Sequence, residues 1–249
     1  MGADAEIVDG AFFAGLSESF EFFLIRHGES EGNSAGIFQG RGEYPLTALG
    51  REQAAERGRL LASWAPCPVL CSPLSRARES AEIIASGAGC AAPLVVDELQ
   101  ELDTGSWTSR SWSELRGESA ERWAKFRSES WASVEGAESP EALYGRAIAA
   151  WGMLRSVASA ECAKPRPTAI PTDGHPARPR AIVAVTHGGF LQWLVRATFG
   201  CRSWFPLVPL GNCTAYRLRT EPASADRAYI AWDALDDRLP VGAATGRTG

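Results

Sequence analysis

The sequence predicts a three-layer α/β/α sandwich whose central sheet is mostly parallel, with helices on both faces. Three observations carry that expectation. Two apolar runs, residues 21–26 and 181–185, have the length of buried strands rather than of helices. Both end abruptly in a polar residue followed by His-Gly, as Arg26-His27-Gly28 and Thr186-His187-Gly188. Between and around them strand-like segments alternate with helix-like ones, the order that lays helices over a sheet.

Taken in order, residues 1–20 read as a loosely held N-terminal leader, residues 21–235 as a single domain and residues 236–249 as a C-terminal tail. The first strand is 21–26. Residues 28–45 are rich in glycine and polar groups and read as a loop. Thr47 is a good N-cap, and Leu49, Ala54, Leu60 and Leu61 give an apolar face to a helix reaching about Trp64. Val69-Leu70-Cys71 is a short strand closed by Ser72-Pro73, and a helix follows from about Ser75 to Ala85 with Arg76 near its start. Leu94-Val95-Val96 is a further strand that runs out into Asp97-Glu98-Leu99-Gln100-Glu101.

Residues 105–139 differ in texture, holding Trp107, Trp112, Trp123 and Trp131 among many charges. Pro140 suits the first turn of a helix reaching about Ser159. Residues 161–180 are proline-rich without periodicity and read as an exposed loop or a disordered insertion. The strand 181–185 and a helix to about Phe199 follow, and segments 212–218 and 228–232 alternate like late strands.

Bulk composition bounds the function. With 249 residues, 45% of them apolar, the chain can bury a substantial core. A net charge of −5 argues against non-specific attraction to nucleic acid or to an anionic membrane. No apolar stretch is long enough to span a bilayer, and the acidic start MGADAEIVDG lacks a signal pattern. The six cysteines, at 67, 71, 90, 162, 201 and 213, form no Cys-x-x-Cys; they read as reduced thiols of a cytoplasmic protein.

The chemistry concentrates in few residues. Of three histidines, His27 and His187 stand at strand ends before glycine, while His175 lies in the proline-rich stretch. In α/β sheets ligands bind at such strand ends. Arg26 beside His27 adds a permanent planar cation suited to phosphate, and Gly28 and Gly188 let the backbone turn and approach a ligand closely. His27 is therefore a candidate nucleophile toward phosphorus. A metal site is not expected: no ligand spacing stands out, and Arg26 and Arg76 would repel a cation. Asn212-Cys213-Thr214 is a glycosylation sequon without meaning in a cytoplasmic chain.

Four ordered blocks extend the pattern. They are Arg26-His27-Gly28-Glu29-Ser30 with Asn33, Gln39-Gly40, Pro45-Leu46-Thr47 and Gly50; Ser72-Pro73-Leu74-Ser75-Arg76-Ala77; Leu99-Gln100-Glu101 with Gly105 and Trp107; and Thr186-His187-Gly188-Gly189. Together they resemble the histidine phosphatase superfamily, in its phosphoglycerate mutase-like branch, over roughly residues 21–215. The resemblance implies that His27 attacks phosphorus to give a phosphohistidine. It implies that Arg26, Arg76, His187 and Asn33 hold the phosphoryl oxygens, and that Glu101 is the general acid and base. Gln39, Gly40 and Gly188 are implied to line the substrate, a small phosphate ester, and no cofactor or metal is implied. Asp97, Glu98 and Asp103 are near enough in sequence to be confused with Glu101.

Within that family the glycolytic mutases carry an Arg-His-Tyr run after the catalytic glutamate. This chain has Leu102-Asp103-Thr104 there, so it looks more like the phosphatase members. The resemblance makes 105–139 a lid-like insertion over the active site. Its tryptophans are either an apolar wall against substrate or the core of two lid helices.

Overall fold

The computed structural model describes residues 7–64, 67–165, 179–207 and 210–234. Six strands form one sheet: β1 (Phe20–Arg26), β2 (Val69–Cys71), β3 (Leu94–Val95), β4 (Arg180–Thr186), β5 (Ala215–Ser224) and β6 (Arg227–Ala234). Their order is β3-β2-β4-β1-β5-β6. β3, β2, β4 and β1 pair in parallel, and β5 and β6 add an antiparallel edge. The helices are α1 (Glu31–Ser34), α2 (Ala48–Leu61), α3 (Ser75–Ala88), α4 (Trp112–Glu118), α5 (Ala120–Glu129), α6 (Pro140–Cys162) and α7 (Gly188–Ala197). The expected sandwich is the observed one.

The layers follow from side-chain alternation along β1. Phe20, Phe22 and Leu24 point into one core with Ile182 and Ala184 of β4, covered by Leu143, Ala147, Trp151 and Leu154 of α6 and by Phe190, Leu191 and Leu194 of α7. Phe23 and Ile25 point the other way, with Val183 and Val185, onto Ala54 and Leu61 of α2 and Ala77, Ala81 and Ile84 of α3. Each such side chain contributes roughly 1.5–3 kcal/mol by leaving water. Trp151, fully buried, satisfies its indole by donating to the Leu194 carbonyl at 2.9 Å.

Local signals set the helix starts. The Thr47 hydroxyl accepts from the Gly50 amide at 3.0 Å, and Ser139 accepts from Ala142 at 3.2 Å ahead of Pro140. The last turn of α2 gives way to a 3₁₀ turn over Ala62–Trp64.

Four expectations need adjustment. The segment 7–19, expected as part of a loose leader, places Val8, Phe13 and Leu16 in the core. Phe13 packs edge-on to Trp151 at 5.7 Å, and the Val8 amide donates to Ala197 at 3.0 Å. Phe13 also meets Phe22 of β1 with ring centroids 5.5 Å apart, and such long-range contacts come without local periodicity. The loop 28–45 contains the short helix α1, capped by Ser30. In the proline-rich stretch, α6 runs on to Cys162 and β4 begins at Arg180; residues 166–178, with His175, lie outside the described residues, as does the tail 236–249. Residues 212–214 are a turn rather than the start of β5.

All six cysteines are free thiols, Cys67 and Cys90 lying with sulfurs 3.2 Å apart. Among the described residues no helix is long and apolar enough to cross a membrane.

Candidate active site

The carboxyl ends of the parallel strands converge on one pocket. β1 delivers Arg26 and His27, β2 leads to Ser72 and Arg76, the segment after β3 supplies Glu101, and β4 ends at His187. β1 and β4 are neighbours in register, Arg26 opposite Thr186, so the two histidine rings meet with centroids 5.1 Å apart. Both rings are buried, and the pocket over them holds about 280 Å³.

The backbone is pressed close at the first histidine. A β-carbon on Gly28 would lie 2.3 Å from the Gly50 carbonyl, so only glycine lets the start of α2 pack against the turn after β1. That turn fixes the imidazole. His27 Nδ1 lies 2.6 Å from the Gly28 carbonyl, which can only accept, so Nδ1 carries the proton. Arg76 Nε donates to His27 Nε2 at 3.2 Å, which assigns the lone pair to Nε2, on the pocket side. Burial holds the His27 pKa well below its ordinary value, helped by Arg76 and Arg26. His187 is held down by burial first, then by Arg76, His27 and Arg26. Both rings are thus neutral near pH 7.

The two arginines are oriented by backbone carbonyls rather than by carboxylates. Arg76, on the first turn of α3, donates to Gly42 at 2.7 Å and to Gly40 at 2.8 Å. Arg26 donates through Nη1 to Leu210 at 2.6 Å, and its Nε is buried with no hydrogen-bond partner among the described residues. Burial pushes both guanidinium groups below the usual arginine range, with Glu101 opposing. Two desolvated cations face a single carboxylate, leaving a net positive concavity suited to an anion.

His187 Nε2 lies 2.8 Å from the Ser72 hydroxyl, and its Nδ1 is buried without a partner among the described residues. The Leu74 amide already donates to Ser72 Oγ at 3.2 Å. The Ser72 hydroxyl can donate to Nε2 or accept from it, and when it donates His187 carries its proton on Nδ1.

Glu101 lines the opposite wall, and Asp97, Glu98 and Asp103 do not. Its carboxylate accepts from the amides of Leu102 and Phe190 at 2.8 Å each and of Gly189 at 3.1 Å. Two of those amides belong to the first turn of α7, where N–H groups have no helical acceptor. Gly188, at the start of the same turn, lies against the Arg26 guanidinium.

Asn33 and Gln39 both reach the pocket. Asn33 Oδ1 accepts from the Ser30 amide at 3.2 Å, from the Ser30 hydroxyl at 3.0 Å and from Asn212 Nδ2 at 3.0 Å. Its own amide nitrogen is therefore the end left for a ligand. Gln39 is buried, and its Oε1 lies 2.8 Å from the Ser30 hydroxyl, whose one proton it shares with Asn33. Gly40 also lines the pocket, in the left-handed region at φ 48°, and its carbonyl holds Arg76. Its place by the site is thus matched by a second duty, aiming a cation.

Sequence reasoning passed over three contributors. Ser72 was read as a strand end and turns out to bond His187. Asn212-Cys213-Thr214, set aside as a sequon, is a turn that clamps the site. Asn212 aims Asn33, and the Cys213 amide donates to the His27 carbonyl at 3.1 Å. Arg57 of α2, buried, donates twice to the Cys213 carbonyl, at 3.0 and 2.7 Å. A tight polar turn just before a strand was the available signal.

The insertion after Glu101 stands over the pocket. Trp107, Leu115 and Val134 bury with Phe38 in a separate small core joined by Trp123, Phe126 and Trp131. Trp112 and Trp131 also face the pocket. Trp107 and Trp123 thus belong to the small core, Trp112 lines the pocket, and Trp131 does both.

The profile of the histidine phosphatase superfamily (branch 1) matches residues 22–231. The chain therefore belongs to that superfamily. Among its relatives, the probable phosphoglycerate mutase GpmB of Salmonella paratyphi A is 30% identical over 200 residues, 80% of this chain and 84% of that protein. In fold it is similar to a mycobacterial glucosyl-3-phosphoglycerate phosphatase complexed with VO3, at 22% identity and a TM-score of 0.70 over 86% of this chain and 98% of that one. It is likewise similar to the α-ribazole phosphatase of Shigella flexneri, at 24% identity and a TM-score of 0.63 over 85% of this chain and 94% of that one.

Proposed function

We propose that the protein is a metal-independent phosphomonoester hydrolase working through a phosphohistidine on His27. The observation that carries this reading is a neutral His27 whose Nε2 lone pair meets Arg76 in a pocket lined by Arg26, Arg76 and Glu101, with the His187 ring packed 5.1 Å from its own. In this reading the phosphoryl oxygens take over the Arg76 Nε–H, together with Arg26, the Asn33 amide and His187 Nδ1–H. His27 Nε2 then forms a bond to phosphorus as the ester P–O bond breaks. Glu101 turns out of the α7 amides, takes up the proton that a monoanionic phosphate ester carries, and passes it to the leaving oxygen. In the second half it takes a proton from water, which attacks phosphorus and releases inorganic phosphate with His27 restored. The cations meet charge that grows on the peripheral oxygens, which is where phosphoryl transfer needs help.

The same reading takes residues 21–235 as one catalytic domain, residues 105–139 as its lid, and a small phosphate ester as substrate. Six free thiols suit a cytoplasmic setting.

Turnover of 4-nitrophenyl phosphate in excess chelator tests it. The wild type is expected to exceed His27→Ala by at least about 10³-fold, as when a nucleophile is removed. Wild-type turnover no faster than the variant would overturn it. A second reading, phosphoglycerate mutase, is favoured by the name of the 30% identical relative. Leu102-Asp103-Thr104 after Glu101 speaks against it, since no basic group follows to hold a carboxylate or second phosphate. Isomerised phosphoglycerate formed only with a bisphosphate primer would establish the mutase instead.

A further inference from the structure

The pocket beyond the phosphate end has a chemistry of its own, and resting on the proposed hydrolase it specifies the substrate class. Its apolar lining is Ile37, Phe38, Leu102, Trp112, Trp131 and Leu210, beside the uncharged polar Thr104 and Gln192. Phe38 packs against Trp112 at 3.9 Å and edge-on to Trp131 at 5.0 Å, so the three rings form one fixed aromatic surface. Trp112 keeps 40% of its surface exposed.

The cations are already allocated. Arg26 and Arg76 are the only arginines lining the pocket among the described residues, and it has no lysine. Arg76 gives Nη1 and Nη2 to carbonyls, and Arg26 gives Nη1 to Leu210, so the donors that remain suit one phosphoryl group. The arginines just outside are tied up. Arg41 pairs with Glu138 at 3.1 Å, Arg146 with the same carboxylate at 2.7 Å, and Arg110 with Glu118. On the far wall Glu101 would repel a second anion. The volume of about 280 Å³ leaves room for a phosphoryl group and one ring-sized substituent.

We infer that the site takes phosphomonoesters of uncharged alcohols bearing a flat apolar group, and discriminates against esters that carry a carboxylate or a second phosphate. Phe38, Trp112 and Trp131 form the specificity wall. The polar end fixes the phosphate, and the aromatic wall collects the free energy of burying the ring.

Uncleavable phosphonates separate this from the catalytic reading, because binding is read without turnover. Calorimetric titration of the full chain with 2-phenylethylphosphonate and with 3-phosphonopropionate compares a ring with a carboxylate on similar spacers. The aromatic ligand is expected to bind at least about tenfold more tightly, the scale on which a pocket distinguishes apolar groups. Trp112→Ala should narrow that ratio several-fold, and Trp112→Phe should preserve most of it. Ile37→Lys, which supplies the missing cation, should raise the affinity for 3-phosphonopropionate. Equal or tighter binding of the carboxylate ligand by the wild type would overturn the inference, as would a ratio indifferent to Trp112→Ala. Hydrolysis of 2-phenylethyl phosphate, measured separately, reports on the catalytic reading alone: its absence with the binding preference intact would remove the hydrolase and leave the specificity.

Discussion

The strand-end pocket and the insertion above it are built on opposite plans. In the pocket, charged and titratable groups are buried and each is aimed by a backbone carbonyl, a backbone amide or a neutral side chain. Gly28 fixes His27, Gly40 and Gly42 fix Arg76, and Ser72 meets His187. In the insertion, aromatic rings pack on one another around Phe38, and the charged residues pair at the exposed surface, as Arg110 does with Glu118. Exposed pairs of that kind contribute little stability. The comparison separates two tasks. Orientation in the pocket is set by directional bonds to a rigid sheet, whereas the insertion is held by ring packing that tolerates adjustment in shape.

If that division is right, the two regions fail differently. The largest effect is expected from Trp107→Ala, which empties the centre of the small aromatic core. It should cost about 3–5 kcal/mol of stability, read as a shift in the urea midpoint, while the rate per folded molecule falls far less. Arg76→Ala should do the reverse. Removing a donor aimed at developing charge is expected to lower kcat/KM about 10²–10³-fold, roughly 3–4 kcal/mol, and a drop of less than about threefold would show that Arg76 does not meet the transferring group.

The smallest effect sharpens the contrast through pH. His27 and His187 both have pKa values held below the ordinary value in the folded protein. Below about pH 6.5 the unfolded chain therefore binds more protons than the folded one, and stability falls as pH falls. It is fully present above the unfolded pKa and is lost on the acid side. Two such groups give a slope of up to about 2.7 kcal/mol per pH unit, and one gives half. Denaturation from pH 8 to pH 5 should show His187→Asn with the shallower acid slope; equal slopes would mean that the buried ring is not held neutral.

The strand ends, the His-Gly steps and the capped helix starts were legible because each is a local matter. An apolar run of six residues, a Thr before a helix, or a Pro in its first turn constrains its own backbone whatever lies elsewhere. The same locality explains where reading fell short. Val8 and Phe13 carry no periodic pattern, and they are buried against Ala197 and Trp151, more than a hundred residues away. Trp112 and Trp107, similar in sequence context, end up respectively on the pocket and in the small core, a difference that five positions of sequence do not show.

By itself the sequence determined which residues could handle a phosphoryl group: two strand-end histidines, the arginine beside one of them, an arginine at a helix start and a glutamate after a strand. Only the tertiary structure decided how each is held. Ser72 reaches His187 across 115 positions, Asn212 reaches Asn33 across 179, and Glu101 settles on amides of α7 up to 89 positions away. Hydrogen bonds of that kind leave no period or spacing in the chain, because their partners meet only after the sheet has set the register of β1 against β4.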